Sequence, residues 1–494
     1  MTPGVRAILL GARRFNVLDL FKAGEQGYWY DSSDLSSMYQ ESTGVTPAYA
    51  PGQGSADCPV GLRLDKRFSL ARGAELWADG SVTLTGESTK ASAGVYRVYS
   101  AAGAASAVNV PSVLVSGKWY EVTLTIDSIA TAGTGIKLAS TAATPTWTTT
   151  GAKRAIILAN ATSASITINS GVATDYQISG VSFKLLDGNH ASQSVAGSRP
   201  TLSARYNLLL ATATLSTQSV TTVVASYKLS FTGTGTVTLS GTSTAGPLVG
   251  TGASDRVSLT FTPTAGTLTL TVTGSVTLAD LRLSADAALA IPAYQSVTNA
   301  NTYDTAGFPW YLKPDGFDDG MVTNTIDFTG TDKMTVWAGV TKLSDAAGGS
   351  PIELGTNSGS VAGSFSLQAP NGAAANNYYA LVKGAVNATS GGFTALAPTS
   401  NVITQQMNLA GTDQTTTIQM RSNGAAKDIS GQGVGANPGG GAFVNAPIYL
   451  FRRAGTSLPF NGRDYGQIVR GAASTASQIA NAERYIARAM GLSF

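Results

Sequence analysis

Residues 311–340 read YLKPDGFDDGMVTNTIDFTGTDKMTVWAGV. An acid-rich turn, Pro314-Asp315-Gly316-Phe317-Asp318-Asp319-Gly320, lies between segments that alternate apolar and polar residues. The last of these is the clearest strand in the chain. Met334, Val336, Ala338 and Val340 point to one face, and Thr335, Trp337 and Gly339 to the other. It predicts the opening of a C-terminal β-sandwich. The acids of the turn then decide between an enzyme and a binding protein, because they either do chemistry or shape the turn.

Composition supports the strand reading. The chain has 494 residues, enough for three or four domains, and 43% are hydrophobic. Only 12% are charged, about half of what soluble domains carry. Ala, Gly, Ser and Thr take up the difference, which suits short strands, tight turns and exposed sheet faces. This is the composition of an all-β extracellular or virion protein. The 32 basic and 29 acidic residues leave a net charge of +3 with no basic stripe, so nucleic-acid binding is not expected. Arg13-Arg14 and Arg452-Arg453 are isolated pairs. The single cysteine, Cys58, excludes an intramolecular disulfide and a cysteine-rich metal cluster. The apolar run at residues 5–10 is too short to span a membrane and lacks the parts of a signal peptide. No membrane insertion is expected. The expected route out of a reducing cytoplasm is lysis, with the protein already built into a particle.

Residues 1–70 are richer in charge and aromatics than the rest. A short helical turn is predicted within residues 31–40, and prolines make residues 43–59 an extended arm. Residues 24–47, GEQGYWYDSSDLSSMYQESTGVTP, are followed at 59–66 by PVGLRLDK. Together they resemble the start of a group of tailed-bacteriophage virion proteins, which read G-x-W-Y-D-P-S-D-L-S-T-L/M-F-Q-D-x-x-G-T-T-P and then P-V-G-L-x-L-D-K. Ser32, Tyr39 and Glu41 depart from that pattern, and residues 54–58 are an insertion. Residues 188–204, beginning GNHASQSVAGSRP, read as a linker and resemble the connector of the same group. The resemblance implies a virion-attachment segment at 1–70, ordered against a partner or its own copies. Tyr28, Trp29, Tyr30, Asp31, Asp34, Leu35, Met38 and Tyr39 are the candidate contacts.

Between these segments lie two runs of short strands. Residues 71–187 alternate with period two at 119–126, 164–168 and 176–185, with turns at sandwich spacing. Gly117-Lys118-Trp119-Tyr120 and residues 178–186 resemble features of jelly-roll carbohydrate-binding modules. Residues 205–285 repeat the theme in shorter form and predict a second small sandwich. The last unit, 286–494, resembles concanavalin A/laminin-G-like domains through LKPDGFDD at 312–319, MTVWAGV at 334–340 and the closing strands within 448–469. A terminal α-helix follows. Thr475 with Gln478 is a capping-box pattern and Gly491 a stop. Ile479, Ala482, Tyr485, Ile486, Ala489 and Met490 share one face, with Asn481, Glu483, Arg484 and Arg488 on the other.

Catalytic signals are weak. His190 is the sole histidine and lies in the linker, and no nucleophile elbow is present. Asp315, Asp318 and Asp319 are the best acid cluster. Paired carboxylates serve glycosidases and hard oxygen donors bind calcium, but successive acids in a Gly-containing turn commonly cap their own backbone. They are the weak metal candidates. The glycine-rich residues 431–441 lack the lysine and context of a phosphate loop, so no cofactor is expected. For glycan stacking the candidates are Trp119, Trp147, Tyr176, Trp310, Trp337, Tyr378 and Tyr379, each weighed against core packing.

The expectation is therefore an all-β, non-enzymatic structural protein of a tailed phage. It has an attachment segment, two jelly-roll sandwiches and a concanavalin A/laminin-G-like sandwich with a terminal helix. As a tail fibre or appendage, expected as a homotrimer, it would join other virion proteins and touch host-surface polysaccharide. A capsid-decorating, head-fibre or baseplate protein without receptor binding is the alternative, and a polysaccharide depolymerase a more distant one.

Overall fold

The computed structural model describes residues 15–49, 57–102, 104–141, 144–168 and 171–494. The protein is all-β, with antiparallel sheets and a long helix, Ala476–Met490, near the C-terminus. Its centre is a large sandwich, called the hub here, made of two nine-stranded sheets. The strand read first from sequence, Lys333–Lys342, lies in the middle of one of them. It pairs with Thr399–Asn408 on one side and Gly462–Arg470 on the other. Met334, Val336, Ala338 and Val340 point into the core between the two sheets.

The opposite face of this strand is covered as well. Trp337 is completely buried in a second core beneath the terminal helix, with Ile479, Ala482, Ile486 and Met490. Gly339 makes room for that helix: a Cβ there would stand 2.4 Å from Ile486 Cγ2 and 2.9 Å from Met490 Sδ. The helix has the expected ends. Thr475 and Gln478 form the reciprocal capping box, and Gly491 closes it at φ 73°. One side chain departs from the predicted face. Glu483 is buried, where its carboxylate receives Arg421 Nε at 2.7 Å and the Thr404 hydroxyl at 2.8 Å.

The described part of the N-terminal segment is built into the hub. Gly27–Asp31 adds a strand to Gly462–Arg470, while Met38–Tyr39 and Leu62–Arg63 extend the second hub sheet. Main-chain pairing needs close approach: at Gly27 a Cβ would lie 2.0 Å from Val469 O. Tyr28, Trp29, Tyr30, Asp31, Met38 and Tyr39 are buried, and Asp34 and Leu35 are half-buried. The predicted helical turn is a single 3-10 turn, Leu35–Ser37. Of the predicted extended arm, residues 50–56 lie outside the described residues.

The predicted linker is also part of the hub. Ala191–Ser192 pairs with Leu62–Arg63, and Thr201–Ser203 pairs with Tyr311–Lys313. These two pairings set the architecture. The first small sandwich is inserted between adjacent antiparallel strands, Leu62–Arg63 and Ala191–Ser192. The second is inserted between Thr201–Ser203 and Tyr311–Lys313. Each module is thus an enlarged hairpin connection of one hub. The first has a six-stranded and a five-stranded sheet around one core, and the second a four-stranded and a three-stranded sheet around another.

Candidate functional site

The segments at 24–47, 59–66 and 188–200 converge. Asp65 is the meeting point: its Oδ1 accepts the Trp29 N–H at 3.0 Å, and its Oδ2 accepts the Asn189 N–H at 2.8 Å. In return the Asp65 N–H donates to His190 Nδ1 at 2.9 Å. Asn189 Nδ2 donates to Gly27 O at 2.7 Å, and the Tyr30 hydroxyl donates to Asn189 O. Beside this network Arg63 Nη1 bonds Asp464 Oδ2 at 2.7 Å, both side chains being fully buried. Lys66 bridges Asp31 and Asp34 at 3.0 and 2.8 Å. Burial alone would raise the Asp31 pKa, but Lys66 and the hydroxyls of Ser33 and Tyr485 outweigh it and hold it low. Residues read as virion contacts therefore have partners within the chain: Trp29 at Asp65, Tyr30 at Asn189, and Asp31 and Asp34 at Lys66.

His190 is not in a flexible linker. Its imidazole is fully buried, with the Trp119 ring centroid at 5.5 Å, and burial pushes its pKa down to about 4. Nδ1 accepts a hydrogen bond, so the neutral ring carries its proton on Nε2. A buried, neutral imidazole locked to a backbone amide holds two segments together. It is not placed as a general base.

The acid turn shapes itself. Asp315 Oδ1 accepts the N–H groups of Phe317, Asp318 and Asp319 at 2.8, 3.0 and 3.2 Å. Asp319 Oδ2 accepts the Asp315 N–H at 2.9 Å, and Asp318 Oδ2 accepts the Ser198 hydroxyl at 3.0 Å. Burial, with the neighbouring carboxylates of Asp315 and Asp318, raises Asp319 to about 6. Burial would also raise Asp315, but three backbone N–H groups overcome it and lower that pKa. A split pair of this kind is what acid–base catalysis uses. Here the carboxylates of Asp315 and Asp319 belong to one five-residue turn and accept its backbone N–H groups. The three acids come within 4.8 Å of one another; one oxygen of Asp315 and one of Asp319 accept the turn's own N–H groups, and one of Asp318 accepts the Ser198 hydroxyl.

Five of the seven glycan candidates are buried. Trp147 and Tyr176 are in the core of the first module, Trp337 lies under the helix, and Tyr378 is between the hub sheets. Trp119 sits in the seam between first module and hub, with Ile156 and Leu186 against Tyr39, Leu62 and Leu64. Trp310 and Tyr379 are half-buried. Trp310 packs on Tyr49 with centroids 5.0 Å apart, and the Tyr379 hydroxyl bonds Ser390 at 2.8 Å. None of the buried rings has a face available to a sugar.

Sequence reading missed the concavity that the acid turn borders. A cleft of about 860 Å³ runs between the hub and the second module. Ser203, Ser219, Thr221, Ser344 and Asn461 line it with hydroxyl and amide groups, and the edges of Tyr206, Tyr227 and Tyr311 reach it. Arg463, paired with Asp286 at 2.6 Å, lies 4.9 Å from both the Tyr206 and the Tyr311 ring centroids. Lys313 is solvent-accessible and has no ion pair among the described residues. Crowding by the walls, with Arg463 beside it, lowers its pKa. Cleft residues come from segments more than two hundred positions apart, so no local motif announces them.

No protein-family profile matches the sequence, and no curated protein matches it. Among solved structures, similarity is found to the binding domain of botulinum neurotoxin DC in complex with rat synaptotagmin II. That match has 12% identity and a TM-score of 0.27, and covers 37% of this chain and 43% of that one. The Ruminococcus gnavus IT-sialidase CBM40 bound to α2,3 sialyllactose matches at 13% identity and a TM-score of 0.24, over 31% of this chain and 83% of that one. A structure described under the cell entry of botulinum neurotoxin type C, dependent upon interaction with two ganglioside molecules, matches at 11% identity and a TM-score of 0.27, over 37% and 43%. The chain spans under half the length of these toxin structures.

Proposed function

We propose that the chain is a non-enzymatic structural protein of a tailed-bacteriophage particle, a tail fibre or appendage that contacts host-surface glycan. The observation that carries this reading is the convergence on Asp65. The N-terminal segments at 24–47 and 59–66 and the connector at 188–200, over a hundred residues further on, make one buried network. Their convergence supports reading them as one folding signature. The hub in turn carries two sandwich modules, each on a hairpin of a different hub sheet, an arrangement suited to display. The hydroxyl-rich cleft beside the second module supplies the polar contacts a saccharide uses, with Lys313 as an available cation.

The attachment surface is a different one from the aromatics of residues 28–39, because those are consumed inside the hub. Immunogold electron microscopy of the intact particle tests placement: label on the tail or its appendages is expected, and label on the capsid shell overturns it in favour of a capsid-decorating protein. Sedimentation tests the trimer. A glycan array tests the contact: retention of surface polysaccharides without release of reducing ends is expected, and release of reducing ends makes the protein a depolymerase.

A further inference from the structure

The second module has one face that its own core does not explain. In the three-stranded sheet formed by Tyr227–Gly233, Gly252–Phe261 and Val276–Leu283, Tyr227, Leu229 and Phe231 point inward. Lys228, Ser230, Arg256, Ser258, Asp280 and Arg282 point to the other side. They meet Leu289, Ile291 and Ala293 of the returning chain around a cavity of about 310 Å³. Three cations and one carboxylate share this space, in a chain with only 12% charged residues.

The single carboxylate is already used. Arg282 Nε donates to Asp280 Oδ1 at 2.6 Å and Arg282 Nη2 to Asp280 Oδ2, which also accepts the Gln295 N–H at 2.9 Å. Arg256 has no carboxylate partner among the described residues. It donates to Ser230 Oγ at 2.7 Å and to Leu278 O at 2.6 Å, which uses two of its five N–H donors. Lys228 stands directly across the strands from Arg282 and forms no ion pair among the described residues. Like charges facing each other across a ladder are unfavourable. Burial lowers the pKa of Arg256; the Asp280 carboxylate partly opposes this, and the Arg282 charge adds to it. The lining therefore carries three cations against one carboxylate, and Arg256 also lies 5.5 Å from the Tyr294 ring centroid.

We infer that this cavity binds the oxyanion of an acidic saccharide, with Arg256 and Lys228 taking a carboxylate or sulfate group. Guanidinium forks match such planar anions, and the bonds are charge-assisted. Leu289, Ile291 and Ala293 provide an apolar wall for the C–H face of a sugar ring, and Ser230 and Ser258 provide hydroxyls. The volume is at the low end of ligand pockets, roughly 300 Å³ upward, which fits one sugar residue at a chain end or branch. The inference rests on the reading of this chain as a glycan-contacting protein.

Calorimetric titration of the full chain tests it, with oligogalacturonate, its carboxyl-reduced neutral counterpart and sodium sulfate as probes, on the wild type and on Arg256→Gln and Lys228→Gln. Binding of oligogalacturonate is expected, at least about tenfold weaker for the neutral counterpart and for Arg256→Gln, and reduced in Lys228→Gln. Equal binding of acidic and neutral oligosaccharides, unchanged in Arg256→Gln, overturns the site while leaving glycan contact intact. Sulfate binding that Arg256→Gln abolishes, without any saccharide binding, overturns the saccharide assignment. No binding of any probe overturns both readings.

Discussion

His190 offers the sharpest test of how the hub is held together. Its ring is buried and neutral, with a pKa near 4 against an ordinary value of 6.5. The sign follows from linkage. As pH falls, the unfolded chain takes up the proton first, around 6.5, and the folded chain only near 4. Stability is therefore fully present above 6.5, declines between 6.5 and 4, and is constant again below. At about 1.4 kcal/mol per pH unit, the loss across that window is about 3 kcal/mol. Asp319 works in the opposite sense, because its raised pKa costs stability as pH rises through about 6. The histidine contribution therefore has to be isolated by difference. His190→Gln removes the titration and keeps an oxygen able to accept the Asp65 N–H. Urea unfolding of both proteins from pH 7 to pH 4 is expected to show the steeper acid decline in the wild type. The chain has one histidine, so a ¹³C-histidine NMR titration gives a single imidazole signal. A signal that titrates near 6.5 in the folded protein, or identical acid slopes for the two proteins, refutes the reasoning.

Asp319→Asn is expected to raise stability at pH 7, seen as a higher Tm, because it removes a charge that burial disfavours while keeping an acceptor for the Asp315 N–H. Gly339→Leu forces a side chain into Ile486 and Met490. It is expected to cost at least about 1–3 kcal/mol and to make the terminal helix the first site of proteolytic cleavage. Arg63→Met strands the buried Asp464 carboxylate, whose pKa burial already raises, and is expected to cost about 3–5 kcal/mol in chemical denaturation. Replacing residues 70–187 by a short glycine-containing turn is expected to leave the hub folded, with the near-ultraviolet signature of its buried aromatics intact. Collapse of the hub in that variant would mean that the first module is an integral part of it.

Local structure was legible in this sequence to the extent that local chemistry determines it. The alternation at 334–340, the capping box at Thr475 and the self-capping turn at Asp315 each depend on residues a few positions apart, and each is present. What covers a face is a different matter. Period two showed that Met334 and Trp337 point to opposite sides, but not that a helix some 140 positions later would bury the second. Glu483 fell on the polar face by periodicity, yet an arginine from a distant strand, Arg421, draws it inward. The N-terminal aromatics illustrate the same limit. A short, irregular, aromatic-rich segment needs a surface to bury against, and sequence alone could not show that the surface was its own C-terminal sheet. His190 falls in a stretch that reads as a linker, whereas its partners, Asp65 and Trp119, come from segments on either side of the first module's opening.

The joints between hub and modules are packed and hydrogen-bonded. An inserted domain tethered only by two strands would pivot freely. Here both joints are filled. The first module docks an apolar seam, Trp119, Ile156 and Leu186 on Tyr39, Leu62 and Leu64, and the Thr43 carbonyl accepts the Ile156 N–H at 2.8 Å. The second is fixed by buried polar groups. Gln295 Oε1 accepts the N–H groups of Tyr206 and Asn207 at 2.7 and 3.0 Å, while Asn207 Nδ2 reaches Ala279 O at 2.9 Å. Arg463 of the hub holds Asp286 of the module's last turn. A buried network of this kind adds little net stability, but it tolerates few alternative geometries, because any shift leaves desolvated donors unpaired. The consequence reaches the surface. The cleft beside Lys313 is built from hub and module, and the cationic cavity at Arg256 from module and returning chain, so their shapes depend on the joint. Fixing the joint with directional bonds, rather than with apolar contact alone, keeps both concavities formed before any ligand arrives.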